Sequence, residues 1–439
     1  MRRTSSLCLL LLTLLGSSFA QARAAESLTF ARVLKLGLER SIEAKRAALA
    51  AQLAADDRRI LSYENDPHLV ISGNWSNYRP RSGTPPLGGS GGVGRDQVYA
   101  AQLNATLYDF GRHDKRMEQS DYAEQVKQLA AAEVSESLSF SIARAYAGVL
   151  AAERIVQITS EQVVVEAEQL SDQRLNYQRG LRPESDVVMA EVTLGRAQLA
   201  ATKAQDDARA ARISLGLLVG EEQQPLLDGP VSAASMNRSD AAHWDQLLSS
   251  WQQFHKGAAQ LRRQHEAKAL QVDADLVDAV KRPLLQGGLA ATRSGAWGGE
   301  QRNVYSGQIG LSWDLPWDGM ARDERHRIGL RRSDLGLQDD LERKVRSDLD
   351  TTAREQFRAG KSQLAALTAQ VRLIDREHEL VQRRYRAGKA SALEVSAAEA
   401  DLLTQRLAVV TTLNALALRV IDVAQARAEP TPTLEGIFD

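Results

Sequence analysis

Residues 97–108 read QVYAAQLNATLY, and this stretch decides the fold. From Tyr99 to Leu107 the odd-numbered side chains are apolar or aromatic, and Gln102, Asn104 and Thr106 stand between them. Alternation of this kind over about ten residues predicts a β-strand with one apolar face and one polar face. About ten residues is also the length that a tilted strand needs to cross a lipid bilayer.

Three further stretches alternate in the same way, and together they predict two strand hairpins. These stretches are residues 68–77, 284–292 and 303–315, which place the hairpins at about 67–109 and 283–317. Aromatic residues in or beside the strands are expected at the two membrane interfaces: Trp75, Tyr99, Trp297, Tyr305, Trp313 and Trp317. A soluble antiparallel sheet alternates identically and is the alternative interpretation.

Most of the remaining chain has the pattern of long helices. Residues 28–64 and 112–177 contain no proline, and apolar residues from Val134 to Val149 recur at helical spacing. A helix of roughly 65 residues extends about 100 Å, which a single globular core does not need. A coiled-coil or spectrin-like bundle of the cytosolic type fits the helices equally well.

The two halves of the chain resemble each other at an offset of about 208 residues. YQRG at 177–180 matches YRAG at 385–388, and Asp186 matches Glu394. The predicted halves are residues 25–220 and 241–428, joined by a linker at 221–240 and followed by a tail at 429–439. Each half has the order helix, strand hairpin, very long helix, glycine turn and returning helix. The glycine suits the turn because it adopts a left-handed conformation at little cost.

The first 24 residues have the pattern of a secretory signal. Arg2 and Arg3 precede an apolar run from Leu7 to Leu15, and small residues suited to cleavage follow. The single cysteine, Cys8, lies in this segment, which excludes disulfides and thiolate metal sites from the mature chain. A net charge of -1 gives no basic surface for nucleic acid.

The membrane interpretation has a consequence for assembly. No stretch after the signal approaches 18 consecutive apolar residues, so a membrane role has to come from the strands. Four strands cannot close a barrel, and open strand edges are not tolerated in lipid. Several copies of the chain are therefore expected to share one barrel.

The sequence predicts no catalytic, cofactor or metal site, and hence no enzyme. Gly88–Gly94 contains the spacings of a dinucleotide fingerprint and of a nucleophile elbow, but it leads into a strand rather than a helix. A hairpin loop explains it better. The histidines are scattered without metal-ligand spacing.

With these features in order, the chain resembles the TolC-like outer-membrane efflux family over nearly its whole mature length. The motifs that carry the resemblance are LTF at 28–30, LYDFGR at 107–112, LGLLVG at 215–220, LPWDG at 315–319 and the segment 385–407. The resemblance implies a mainly α homotrimer with a shared twelve-stranded β-barrel and a periplasmic tunnel of coiled helices. It also implies location in outer-membrane lipid, with most of the chain in the periplasm, and partnership with a periplasmic adaptor and an inner-membrane pump.

The resemblance further implies which residues serve the gate and the docking surface. A periplasmic gate is expected at Asp186, Tyr385, Lys389 and Glu394. Docking to the adaptor is expected at the hairpin tips, which are Gly180, Leu181, Gly388 and Lys389. The alternative interpretations are purely structural: both glycines only end helices, and Glu394 is an ordinary solvated residue.

Two departures from the family pattern bear on these expectations. The usual Asn-Pro after the opening helix is replaced by Arg40-Ser41-Ile42. A second acid expected near Glu394 is replaced by Ala397, and the expected basic partner falls on Ala390.

The function predicted from the sequence is a passive duct of a tripartite efflux or type I secretion system. The main alternative is a periplasmic structural or tethering coiled-coil protein without a pore. An exported hydrolase on a helical scaffold is the third and least supported reading.

Overall fold

The computed structural model describes residues 29–78, 94–220, 240–296, 300–313, 319–429 and 431–438. The predicted signal at 1–24 and nearly all of the linker at 221–240 lie outside these residues. The same holds for the loop of the first strand hairpin and for Trp297 and Trp317.

The described elements alternate long helices with pairs of strands. The helices are α1 (Phe30–Arg40), α2 (Ile42–Ser62), α3 (Arg112–Gln178), α4 (Glu184–Val219), α5 (Asp240–Ser250), α6 (Ala258–Ala279), α7 (Met320–Arg386) and α8 (Ala392–Arg427). The strands are β1 (His68–Tyr78), β2 (Gly94–Tyr108), β3 (Leu284–Ala296) and β4 (Gln301–Ser312), and a short 3-10 helix covers Thr431–Ile437.

The first helical stretch is interrupted at Ser41, where the sequence pattern over 28–64 gave no sign of a break. Ser41 has an extended conformation with ψ 131°, and its N–H bonds to the carbonyl oxygen of Gly37 at 3.0 Å. Gly220, at the end of α4, lies against this corner, and a Cβ there would sit 3.1 Å from the carbonyl oxygen of Arg40. The chain therefore makes its corner at the Arg40-Ser41-Ile42 site without a proline.

The helices repeat with the spacing seen in the sequence. Helices α3 and α7 each contain 67 residues, and helices α4 and α8 each contain 36. Gly180 and Gly388 end the long helices with φ of 69° and 73°. Backbone bonds from Leu181 N–H to Asn176 and from Lys389 N–H to Arg384 close both turns in the same way. The two helical hairpins, α3–α4 and α7–α8, are thus built alike.

The four strands form one antiparallel sheet in the order β1-β2-β3-β4, as the alternation predicted. The register pairs odd-numbered residues with odd-numbered residues across almost the whole sheet, as in the row Leu69, Leu103, Leu289 and Gly307. Because successive side chains point to opposite faces, one face carries the odd-numbered residues of all four strands.

The chain divides into two compact units that cut across the two sequence halves. The helical unit comprises Met1–Lys45, Glu133–Gly257 and Arg343–Asp439. Its core packs α8 residues such as Val420 and Ile421 against Ile142 and Leu215. Among the described helices, α8 is long and apolar enough to cross a membrane, but most of its apolar side chains from Leu402 to Ala424 belong to this core.

The sheet unit comprises Arg46–Ala132 and Ala258–Glu342. It contains the four strands, α6 and parts of α2, α3 and α7. In contrast to the helical unit, it has little core: among its described residues, Val272 and Ile328 are the large apolar side chains that are buried, and many others are exposed.

Candidate functional site

The odd-numbered face of the sheet is an exposed apolar surface. Ile71, Tyr305 and Ile309 are 77%, 79% and 77% exposed. The exposed large apolar residues on this face, here called the apolar sheet face, are Leu69, Ile71, Trp75, Tyr99, Leu103, Leu107, Leu289, Tyr305, Ile309, Leu311 and Trp313. Contiguous apolar surface of this extent marks a site of interaction with lipid or protein.

The opposite face of the sheet is mainly polar. Across the strands it presents His68, Asn104, Gln286 and Gln308, and these side chains line a shallow cavity. Val70 and Val304 are exposed apolar exceptions in even-numbered positions. A register shift between Thr106 and Tyr108 also ends the strict alternation of β2, because it brings Tyr108 opposite Leu285.

Aromatic side chains mark both ends of the apolar sheet face. At one end Trp75 Nε1 donates to the Tyr99 hydroxyl at 3.2 Å, and the two rings meet edge to face. At the other end Trp313 Nε1 donates to the carbonyl oxygen of Lys281 at 2.8 Å. The register places Gln301 of β4 at the level of Trp75. The thirteen residues from Gln301 to Trp313 span roughly 30 Å across a bilayer if the strand is tilted by about 40°.

Tyr305, the last of the four predicted interface aromatics that the structure describes, lies farther inside the sheet, opposite Ala291. The outer strands β1 and β4 each have only one neighbour in the described sheet. Their outer edges therefore present free backbone N–H and C=O groups that can pair with another strand.

At the glycine turns, a second group of residues joins the two helical hairpins. The hydroxyl of Tyr385, at the end of α7, lies 2.5 Å from Gln173 Oε1 on α3 and 3.2 Å from Asp186 Oδ2 on α4. The Arg182 guanidinium stacks 4.1 Å from the centre of the Tyr385 ring and donates to the Tyr385 carbonyl oxygen. We call Gln173, Arg182, Asp186 and Tyr385 the tip cluster.

The electrostatics of the tip cluster keep the tyrosine protonated. Burial raises the pKa of Tyr385, and the negative charge of Asp186 raises this pKa further, while Arg182 opposes both effects. Arg182 Nη1 also lies 4.0 Å from Asp186 Oδ2. The hydroxyl is therefore available as a hydrogen-bond donor between the hairpins.

The structure brings together two of the four predicted gate residues. Asp186 and Tyr385 are in contact, whereas Lys389 and Glu394 are exposed and lie outside the tip cluster. Glu394 forms a capping box with Ser391: its N–H donates to Ser391 Oγ at 3.2 Å, and its Oε1 accepts from Ser391 N–H at 3.2 Å.

Sequence analysis missed the other two members of the tip cluster. Arg182 stands four residues before Asp186, a spacing that favours ion pairs on a helix, and this signal could have identified it. Gln173 gave no local signal, since its partner Tyr385 is more than 200 residues away in the chain.

The predicted tip residues are accessible. Leu181 is 67% exposed. No atom lies within 4 Å of a Cβ built on Gly180 or Gly388, so both turns face open space. A cleft of about 650 Å³ lies beside them and is lined in part by Leu181, Arg182 and Tyr385.

Comparison with known proteins gives a family match and a set of structural neighbours. Residues 33–221 match the family model described as outer membrane efflux protein. The outer-membrane channel CmeC of Campylobacter jejuni shares 14% identity and a TM-score of 0.68, covering 92% of this chain and 88% of its own. The outer membrane protein VceC of Vibrio cholerae shares 14% identity and a TM-score of 0.68, covering 90% of this chain and 95% of its own.

The open-state MtrE outer membrane channel of Neisseria gonorrhoeae gives 17% identity and a TM-score of 0.67, covering 90% of this chain and 88% of its own. A sequence search of curated proteins finds no match. At these identities the neighbours establish the fold, which is that of outer-membrane channels with a helical tunnel and a barrel. The matches favour a channel over a tethering coiled coil.

Proposed function

We propose that this chain, which has the TolC-like fold, belongs to the outer membrane efflux protein family and forms one third of an export duct. The family is one of outer-membrane channels rather than enzymes. The observation that carries the proposal is the apolar sheet face, which lies on a sheet with two free edges.

The sheet supports a barrel closed by three copies. Lipid satisfies the apolar sheet face, but it cannot hydrogen-bond to the free edges of β1 and β4. Pairing β4 of one copy with β1 of the next removes every edge when the ring closes. Three copies give twelve strands, with the polar face turned to a water-filled lumen.

Helices of the sheet unit also present apolar rows that suit neighbouring copies. Leu49, Leu53 and Ile60 are exposed along α2. Leu330, Leu337 and Leu341 are exposed along α7. The steps of four and seven residues within these rows are those of coiled-coil seams. Contacts between copies through these seams support the proposed trimer.

The tip cluster is suited to hold the periplasmic end closed. It joins the first hairpin to the second through one hydroxyl, one carboxylate and one stacked guanidinium. Because such contacts are few and polar, a modest force can break them. Three copies of Glu394 around the axis would add an acidic ring that attracts cations. In this mechanism the chain supplies the path and the gate, and a pump supplies the energy.

The exposed tips are suited to dock a periplasmic adaptor, which would connect the duct to an inner-membrane pump of the tripartite or type I class. Leu181 supplies an exposed apolar contact beside Gly180, and Lys389 supplies a charge beside Gly388. Leu181→Asp is expected to abolish export while the trimer still forms. Export that persists in this variant would move the adaptor contact elsewhere.

The test of the proposed function is conductance. Full-length protein extracted from outer membranes is expected to form ion-conducting pores in planar bilayers and to migrate on gels differently before and after heating. A tethering protein would give neither result. Correctly folded protein that never conducts ions would contradict the proposal that the chain forms a duct.

A further inference from the structure

Two buried carboxyl groups join the helical hairpins above the tips. Glu166 of α3 is 5% exposed and Glu399 of α8 is 4% exposed. Gln169, one turn along α3 from Glu166, donates to Glu399, and this contact brings the two carboxyl groups close together. Glu166 belongs to the first hairpin and Glu399 to the second, at roughly three to four helical turns from the glycine turns. We call these residues the carboxyl pair.

The groups around the carboxyl pair are mostly neutral. From α3, Gln162 Nε2 donates to Glu166 at 2.7 Å and Gln169 donates to Glu399. From α4, the Thr193 side chain lies close to Glu166, while its hydroxyl donates to the carbonyl oxygens of Met189 and Ala190. From α7, His378 Nε2 lies 3.2 Å from Glu399 Oε1 and is the titratable neighbour.

One atom of the pair has no partner. Among the described residues, Glu399 Oε2 is buried without a hydrogen-bond partner. A buried carboxylate oxygen in this state is costly, and a second carboxylate beside it adds repulsion. A proton held between the two carboxyl groups removes one charge and supplies a hydrogen-bond donor.

We propose that Glu166 and Glu399 form a proton-binding site that ties the first helical hairpin to the second. The site holds one proton between the two carboxyl groups. Loss of that proton leaves two adjacent buried anions on α3 and α8. Their repulsion acts across the same pair of hairpins that the tip cluster connects.

The protonation behaviour of Glu166 agrees with this geometry. Burial raises the pKa of Glu166, and the nearby charge of Glu399 raises it further, while the hydrogen bond from Gln162 and the nearby Thr193 side chain act in the opposite direction. A raised carboxyl pKa means that the proton stabilises the folded state fully below the ordinary glutamate pKa. That stabilisation is lost as the pH rises through the raised pKa of the folded state.

The sequence repeat supplies a matched control. Glu191 occupies the position in the first half that Glu399 occupies in the second. Its side chain is 49% exposed and pairs with Arg174 at 2.8 Å. Glu191→Gln therefore removes an equivalent charge without touching a buried pair.

The direct test is infrared difference spectroscopy of the full-length protein in detergent. At about pH 6, wild type is expected to show a protonated-carboxyl band that disappears in Glu166→Gln and in Glu399→Gln and persists in Glu191→Gln. Identical spectra for wild type and both pair variants would overturn the site. Two substitutions at the same pair guard against one variant failing to fold.

Thermal unfolding then measures the tie between the hairpins. Relative to wild type, Glu166→Gln is expected to raise the unfolding midpoint by about 2–4 °C at alkaline pH, with the difference vanishing in acid. The glutamine amide at position 166 can donate a hydrogen bond to Glu399 at every pH. The shared proton of wild type supplies such a bond only below the raised pKa. If the unfolding midpoint of Glu191→Gln differed from that of wild type with the same pH dependence, the carboxyl pair would not be the cause, and the proposal would be wrong.

The consequence for opening rests on the proposed function. If the duct and its gate are as proposed, open probability in planar bilayers is expected to rise with pH in wild type and to lose this dependence in Glu166→Gln. Spectroscopy and unfolding need no pore, so failure of the duct and failure of the proton site give different results.

Discussion

The two compact units differ in how many of their apolar side chains are buried in a core. In the helical unit Ile142, Leu215 and Val420 are fully enclosed, and they form one continuous core. In the sheet unit no residue of β4 is buried among the described residues, and Leu337 of α7 projects into solvent. The helical unit is stabilised by its own packing. The sheet unit has little core of its own, and we expect lipid and other copies to cover the apolar side chains that it exposes.

The largest effect that separates the two units is expected from leucine truncation. Leu416→Ala in the core should destabilise the helical unit by about 2–5 kcal/mol, because it leaves a cavity in packed surroundings. Leu337→Ala should leave the stability of a single chain nearly unchanged and weaken assembly instead. Chemical unfolding measures the stability of each variant, and oligomer yield measures its assembly. An oligomer yield in Leu337→Ala equal to that of wild type would contradict the comparison.

The next effect compares the two faces of β2. Leu103→Arg places a charge on the apolar sheet face and should cost about 2–4 kcal/mol near the bilayer midplane. Asn104→Arg places the same charge on the polar face and should cost little. Folding yield into lipid vesicles measures both variants. Equal losses would count against a lipid-facing apolar surface.

A smaller effect is expected at the tip cluster. Tyr385→Phe removes the hydroxyl but keeps the ring beneath Arg182, so about 1 kcal/mol of hydrogen bonding is lost. Open probability in planar bilayers should rise severalfold. Tyr177→Phe is the matched control, since Tyr177 is the half-exposed counterpart of Tyr385 in the first half. An equal change of open probability in both variants would mean that the tip cluster is not part of the gate.

The smallest effect is expected from Glu394→Gln. Glutamine can still accept the hydrogen bond from Ser391, so the helix cap should survive. Cation selectivity and block by divalent ions should both decline if three copies of Glu394 line the closed end. Unchanged selectivity and block would leave Glu394 as a capping residue only.

Local patterns in the sequence were sufficient for the strands, the long helices and their glycine turns. Alternation identified all four strands because one face of each is apolar, and the matching YQRG and YRAG segments located both turns. The helical pattern over 28–64 did not indicate the break at Ser41, which only the family resemblance suggested, because Gly220 and the backbone form that corner together. A local sequence pattern cannot predict a contact between residues so far apart in the chain.

The contacts of the tip cluster were predicted less completely for the same physical reason. Asp186 and Tyr385 were named through the family resemblance, but Arg182 and Gln173 contact Tyr385 only after two distant hairpins meet. The repeat equates Glu191 with Glu399, yet one is solvated and the other buried. Equivalent positions in the two halves therefore need not have equivalent roles.

The proposed barrel makes a geometric demand on β1 and β4. Within one chain these strands are separated by two others, so their backbones lie about 14 Å apart, beyond the reach of a disulfide. Between copies the same strands are expected to be direct neighbours. The predicted loss of Cys8 with the signal leaves a cysteine-free background for testing this.

The most direct measurement of the shared barrel is therefore disulfide trapping in outer membranes. Ser72→Cys in β1 is combined in turn with Ser306→Cys, Gln308→Cys and Gly310→Cys in β4, and oxidised products are separated on denaturing gels. The shared barrel predicts that at least one combination yields covalent dimers and trimers and nothing larger. Ladders beyond three chains would contradict it, as would correctly inserted protein that remains monomeric in every combination.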